Sequence, residues 1–232
     1  MKLLERVAVA LDTGDRAAFA RWCAFFGPRV GVLKVGLQAF TLWGPAAVEE
    51  ARRHCGSVFL DLKLHDIPTT VASAVRAARA LGASYLTLHA GGGPEMLGAA
   101  VAAAGSEVRL LAVTLLTHLD AAALAALELP GTSAKRVAGW TELASAAGCS
   151  GVVCSPQEAE SLRAGHPRPF LLVTPGIRGP GEAPDDQRRT ASAAAALAAG
   201  ADLLVVGRPL TRAADPAAAL QALAAAIGEG TR

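Results

Sequence analysis

Eight short apolar runs punctuate the chain, at 7–11, 32–36, 58–63, 85–90, 110–116, 151–155, 170–174 and 203–207. They are nearly continuous in apolar residues rather than alternating, the pattern of parallel strands covered on both faces. The stretches between them carry helix punctuation. Residues 15–26 follow Thr13 or Asp15 as N-cap, and Pro45 sits where a helix's first turn tolerates proline. Segments 72–81, 94–104, 140–147 and 191–199 run into Gly82, Gly105, Gly148 and Gly200, each suited to ending a helix. Pro156 opens a segment over 156–164, and Asp215 with Pro216 starts a final alanine-rich helix.

Divided among eight units, the 232 residues supply about 29 each, close to the roughly 30 of a strand, a crossover helix and two short loops. This alternation predicts an α/β fold, a single (β/α)8 barrel of the TIM type over 1–232. A doubly wound sheet is the alternative, weakened because no GxGxxG follows the first run. Two regions read as loops, 117–133 and 176–187, following the fifth and seventh runs.

Composition narrows the function classes. With 52% apolar and 18% charged residues the chain is not disordered, and 22 basic against 20 acidic residues leave no electrostatic footprint for nucleic acid. No run approaches the ~18 apolar residues of a membrane span, and the first residues have no signal-peptide shape, so a cytoplasmic protein without a membrane partner is expected. Cys23, Cys55, Cys149 and Cys154 lack CxxC or metal-ligand spacing and read as small buried hydrophobes.

Against this apolar background, charges at strand ends are the informative residues, because barrel active sites lie at the C-terminal ends of strands. Asp12 follows the first run, Lys34 lies inside the second, and the third ends Asp61-Leu62-Lys63-Leu64-His65-Asp66. Period-two alternation puts Asp61 and Lys63 on one face and Leu60 and Leu62 on the other. With Lys34 from the neighbouring strand they form a compact Lys–Asp–Lys group. One buried ion pair would be as consistent with structure as with function; several charges at one mouth favour function. A lysine beside carboxylates stays protonated, which suits a proton donor.

The eighth run ends Gly207-Arg208-Pro209, where glycine opens the backbone to an anion and arginine offers a phosphate fork. Loops after strands seven and eight recur as the phosphate site of such barrels, and Arg178 on the seventh loop joins them. His65, His89 and His118 fall near the same mouth, but no HxH or HxxxH spacing supports a metal, so they are read as polar wall.

Taken together, Val9-Ala10-Leu11-Asp12, Leu33-Lys34-Val35-Gly36, the DxKxxD motif Asp61-Leu62-Lys63-Leu64-His65-Asp66 with Ile67-Pro68, Thr174-Pro175-Gly176-Ile177-Arg178, Asp186-Gln187-Arg188-Arg189 and Val206-Gly207-Arg208-Pro209 make the chain resemble bacterial orotidine 5′-phosphate decarboxylases from end to end. The resemblance implies decarboxylation of orotidine 5′-monophosphate to UMP, the last step of de novo pyrimidine nucleotide synthesis, with neither metal nor organic cofactor. Carried over by position, Lys63 protonates C6 as carbon dioxide leaves, Asp61 sits beside the substrate carboxylate, and Lys34 and Asp12 contact the ribose. Asp66 crosses into a neighbouring subunit's site and Thr70 reaches the ribose with it, so a homodimer with shared sites is implied. The catalytic set is then Lys63, Asp61, Asp66 and Lys34. The substrate contacts are these with Asp12, Ile67, Thr70, Thr117, Pro175, Arg178, Gln187, Gly207 and Arg208. The chain departs from the family pattern at His118, where serine is common, at Thr69, where asparagine is frequent, and at Gly91, where serine is frequent.

Two other readings compete. One is a magnesium-dependent sugar-phosphate enzyme resembling 3-keto-L-gulonate 6-phosphate decarboxylase or hexulose-phosphate synthase, which share DxKxxD. The Ile67-Pro68 continuation, Arg178 and the Asp186-Gln187-Arg188-Arg189 stretch argue against it. The other is a non-catalytic nucleotide-binding barrel, which has no reason to retain Asp61, Lys63 and Asp66 together.

Overall fold

A computed structural model describes residues 4–178 and 189–229. Its first half runs β1 (Leu4–Ala10), α1 (Arg16–Phe26), β2 (Val30–Gly36), α2 (Leu37–Trp43), α3 (Pro45–His54), β3 (Val58–Leu64), α4 (Pro68–Ala80), β4 (Tyr85–His89), α5 (Gly93–Ala104) and β5 (Arg109–Val113). The second half continues α6 (Ala121–Ala126), α7 (Ser133–Ala146), β6 (Gly151–Val153), α8 (Ala159–Gly165), β7 (Leu171–Thr174), α9 (Ala193–Ala198), β8 (Leu203–Val206), α10 (Arg208–Thr211) and α11 (Pro216–Glu229). All eight strands are parallel, each pairs with the next in sequence, and β8 closes on β1. The expected (β/α)8 barrel is the fold.

Each apolar run of the sequence became one strand. The N-cap choice at the first helix resolves to Asp15, whose carboxylate accepts hydrogen bonds from the Ala17 and Ala18 amides. Asp215 does the same for Ala217 and Ala218. Three short helices went unforeseen, α10 at the end of the eighth strand among them. The stretch read as a loop over 117–133 contains α6, capped by Asp120, which accepts from the Ala123 amide. Residues 37–43 form α2, an extra helix of about two turns ahead of the proline-started α3. Helix starts were also placed too late: α4 begins at Pro68 and α7 at Ser133, the latter capped by Thr132.

Two apolar layers follow from strand periodicity. Ala8, Val32, Phe59, Leu111, Val173 and Leu203 fill the barrel interior, while alternate residues such as Val9, Leu33, Leu60 and Leu204 pack outward under the helices. The inward set matters for function because it sets parity. Two positions beyond Val32 comes Lys34; two and four beyond Phe59 come Asp61 and Lys63; four beyond Ala8 comes Asp12. The interior is apolar in its middle and charged where the strands end, at the C-terminal mouth.

All four cysteines are buried and free, and burial pushes the thiols of Cys23, Cys149 and Cys154 up to about 12, as inert packing residues require. Among the described residues no helix is long and apolar enough to cross a membrane.

Candidate active site

The charges at the mouth form one continuous chain. Lys34 Nζ lies 3.6 Å from Asp12 Oδ1 and 3.1 Å from Asp61 Oδ2, and Lys63 Nζ donates to Asp61 Oδ1 at 2.8 Å. The sequence of charges, Asp12–Lys34–Asp61–Lys63, alternates in sign and passes across three adjacent strand ends. Its middle is dry, with the Lys34 side chain 8% and the Asp61 side chain 13% exposed, whereas Lys63 at 30% reaches into open space. Gly36 makes room for it: a Cβ there would stand 2.5 Å from Asp12 Oδ1 and 3.2 Å from Lys34 Nζ.

Lys63 is held in an unusual backbone conformation, with φ 51°, in the left-handed region that costs a non-glycine residue about 1–2 kcal/mol. The pairing of β3 with β4 shifts register between Leu60 and Leu64, so the strand bends at this residue. Thr87 secures the bend. Its hydroxyl accepts the Lys63 amide at 2.9 Å and donates to Asp61 Oδ1 at 2.9 Å. One fully buried threonine therefore fixes both the backbone of the lysine and the carboxylate beside it.

Burial opposes ionisation of Asp61, but the ammoniums of Lys34 and Lys63, with hydrogen bonds from Lys63 and Thr87, hold its carboxyl down at about 2. Burial likewise opposes the charge on Lys34, and Asp61 and Asp12 outweigh it, raising that ammonium above its ordinary 10.5. Asp61 and Lys34, at the dry middle of the array, are thus both charged at neutral pH. The sign of the linkage is fixed by these directions. Asp61 contributes stability that is present above its unfolded value of 3.8 and is lost as pH falls through about 2. Lys34 contributes stability that is present below 10.5 and lost as pH rises through its higher folded value. Denaturant unfolding of wild type and Asp61→Asn across this range should show a constant stability difference through neutral pH that shrinks below about pH 4. A difference that persists undiminished to pH 2 would contradict the ion-pair account.

A cavity of about 650 Å³ opens above the array. Asp12, Lys34, Asp61 and Lys63 line one part of it, Thr117 and His118 a wall, and Pro175, Arg178, Gly207 and Arg208 the end formed by the seventh and eighth loops. Gly176 takes φ 79°, turning the chain after Pro175 so that Arg178 faces the cavity. The predicted phosphate end and the predicted reaction end share this one space. Gln187 lies outside the described residues. Asp66, Ile67 and Thr70 are exposed on their own chain, Ile67 at 64%, and do not line its cavity; the Asp66 carboxylate accepts the Ile67 amide at 2.6 Å.

His65 and His89 meet with ring centroids 5.4 Å apart, while His118 stands apart on the cavity wall. Burial, then His65 and Lys63, lower the His89 pKa below 6.5, so that ring is neutral at pH 7. Among the described residues no three His, Cys, Asp or Glu side chains are grouped to hold a metal ion.

The sequence model of the orotidine 5′-phosphate decarboxylase / HUMPS family matches residues 5–223. The chain belongs to that family. It is 53% identical over 227 residues to orotidine 5′-phosphate decarboxylase of Anaeromyxobacter sp. (strain K), covering 98% of this chain and 100% of that one. The enzyme of that name from Thermobifida fusca is 51% identical over 222 residues, covering 95% of each chain. Among solved structures, orotidine 5′-phosphate decarboxylase from Lactobacillus acidophilus superposes with a TM-score of 0.83 at 33% identity, covering 95% of this chain and 98% of that one.

Within this family member the sequence reading passed over several residues of the site. Thr87 is the most consequential, and its inward parity two positions after Tyr85 was the available signal. Gln38 and Arg212 also line the cavity, from α2 and the end of α10. Gln38 was hidden because α2 itself was not foreseen.

Proposed function

We propose that the protein decarboxylates orotidine 5′-monophosphate to UMP without a metal or organic cofactor. The observation that carries this reading is the sign-alternating array Asp12–Lys34–Asp61–Lys63, dry at its middle, in the same cavity as Arg178 and Arg208. Curated relatives that carry the enzyme's name over nearly the whole chain support it.

The chemistry accounts for each charge. Breaking the bond from C6 to the carboxylate leaves the electron pair on C6, where the pyrimidine offers no ordinary sink. The Lys63 ammonium stabilises that developing charge and then transfers a proton from Nζ to C6, and carbon dioxide departs; the lysine regains its proton from water. Asp61 pairs with Lys63 and aims it, and lies where the substrate carboxylate is seated. Lys34 and Asp12 hold the ribose hydroxyls and keep the array rigid. Fixed charges need no reorganisation during the reaction, so they stabilise the transition state more strongly than water does. Arg178, Gln187, Gly207 and Arg208 hold the phosphate, a group that does not react but whose binding energy is applied to orienting the rest, and Pro175 lines the substrate cavity. Thr117 meets the pyrimidine.

The active unit is a homodimer. Asp66, Ile67 and Thr70 are exposed and away from their own cavity, as residues that complete a partner's site would be. Loss of substrate absorbance in purified protein with excess EDTA tests the reaction. Activity abolished by EDTA and restored by magnesium would shift the reading to the sugar-phosphate branch, and tight UMP binding without turnover to a nucleotide-binding barrel. Mixing inactive Lys63→Ala and Asp66→Ala chains tests the shared site. Random re-pairing leaves one intact site in each mixed dimer, so about a quarter of wild-type activity should return. No recovery after confirmed subunit exchange would sink the shared-site arrangement.

A further inference from the structure

The motif stretch at 186–189 ends in an arginine to which the mechanism assigns nothing. Arg189 is 12% exposed and pairs through Nη1 with Glu158 Oε1, whose side chain is 9% exposed. Its second amino group, Nη2, donates to the carbonyls of Leu115 at 3.2 Å and Leu116 at 3.1 Å. The other Glu158 oxygen accepts the Ser155 amide at 2.7 Å.

The reason for this construction lies in the strands. β6 ends at Val153, and the last ladder-like bond to the fifth-strand segment is from the Thr114 amide to the Val153 carbonyl, at 3.3 Å. Beyond Thr114 that segment has lost its neighbouring strand; the Leu116 carbonyl accepts the Leu119 amide at 3.0 Å, and the Leu115 carbonyl needs another partner. Arg189 supplies it, and these carbonyls directly precede Thr117 on the cavity wall. Two residues after Arg189, the Ala191 amide donates to Gly176 at 3.2 Å and its carbonyl accepts the Arg178 amide at 3.0 Å. One three-residue span, Arg189–Ala191, therefore ties the Thr117 wall to the backbone of Arg178 at the other end of the cavity. A buried ion pair is a weak source of stability against well-packed apolar side chains, so its retention here fits a demand for geometry. A planar fork is needed because one head must reach a carboxylate and two carbonyls at once.

We propose that Arg189, seated by Glu158, is a positioning residue that sets the pyrimidine wall at Thr117 in register with the phosphate end at Arg178. The inference rests on the function proposed above. In folded Arg189→Met protein, kcat/KM for orotidine 5′-monophosphate should fall about 10²-fold, with the loss carried by kcat, as for a misplaced reacting group. Arg189→Lys keeps the positive charge beside Glu158 but lacks the fork, and should lose most of the same factor while folding normally. It carries the test if the methionine variant does not fold. In a cycle with Thr117→Ala, the two losses should be far from additive, because Arg189 acts through that wall.

Full activity per folded molecule in Arg189→Lys, or additive effects with Thr117→Ala, would overturn the proposal and leave Arg189 a stability element. The same cycle read on UMP affinity by calorimetry separates the two levels of the argument. A wild type that binds UMP without turnover defeats the decarboxylase reading while the coupling is still measured. A wild type that does neither defeats both.

Discussion

Lys63→Ala should lose turnover by roughly 10⁴-fold or more, while the chain still folds and binds UMP. Two contributions vanish together. General acid catalysis is worth about 10²–10⁴-fold, and a preorganised charge at a developing anion about 10²–10³-fold more. Folding should survive because Asp61 keeps Lys34 at 3.1 Å and the Thr87 hydroxyl at 2.9 Å. The backbone sharpens the test. At φ 51° alanine is strained as lysine is, so Lys63→Gly should be equally inactive yet more stable by about 1 kcal/mol. Single-turnover decay of substrate absorbance, with thermal melts of both variants, checks this. Retained turnover in Lys63→Ala would remove the residue as proton donor, and a glycine variant less stable than the alanine one would remove the strain argument.

Arg208→Ala should lower kcat/KM for the nucleotide by about 10²–10³-fold, equivalent to roughly 3–4 kcal/mol, with little change in melting temperature. The side chain lines the cavity at the start of α10, directly after Gly207, whereas Asp61 and Lys63 belong to β3. Its contribution is therefore to holding the nucleotide rather than to the reacting bond. The discriminating substrate is orotidine itself, which lacks the phosphate. Its slow decarboxylation should be nearly the same in wild type and Arg208→Ala, because the arginine has nothing to grip. An equal loss on both substrates would place Arg208 in the reaction centre or in the fold, and an unchanged kcat/KM on the nucleotide would sink the phosphate assignment.

Much of this was legible along the chain because the relevant physics is local. Strands buried on both faces must be apolar throughout, so eight of them announce themselves as runs, and their spacing by about 29 residues announces a barrel. A charge inside such a run is conspicuous for the same reason, and this singled out Lys34, Asp61 and Lys63. Short elements on the surface were harder to see. α2 and α6 are seven and six residues long, too brief for a helical period to stand out, and Gln38 was hidden with the first of them.

Partnership between distant segments was decided by tertiary structure alone. Thr87 looks like any strand threonine until the β3–β4 register shift brings its hydroxyl to the Lys63 amide and the Asp61 carboxylate. Arg189 and Glu158, 31 residues apart, become a pair only where β6 stops short and leaves the Leu115 carbonyl to be satisfied. Hydrophobic periodicity is a property of one segment and can be read from that segment. A hydrogen bond between side chains on different strands depends on register, bend and strand length together, and those exist only once the barrel has closed.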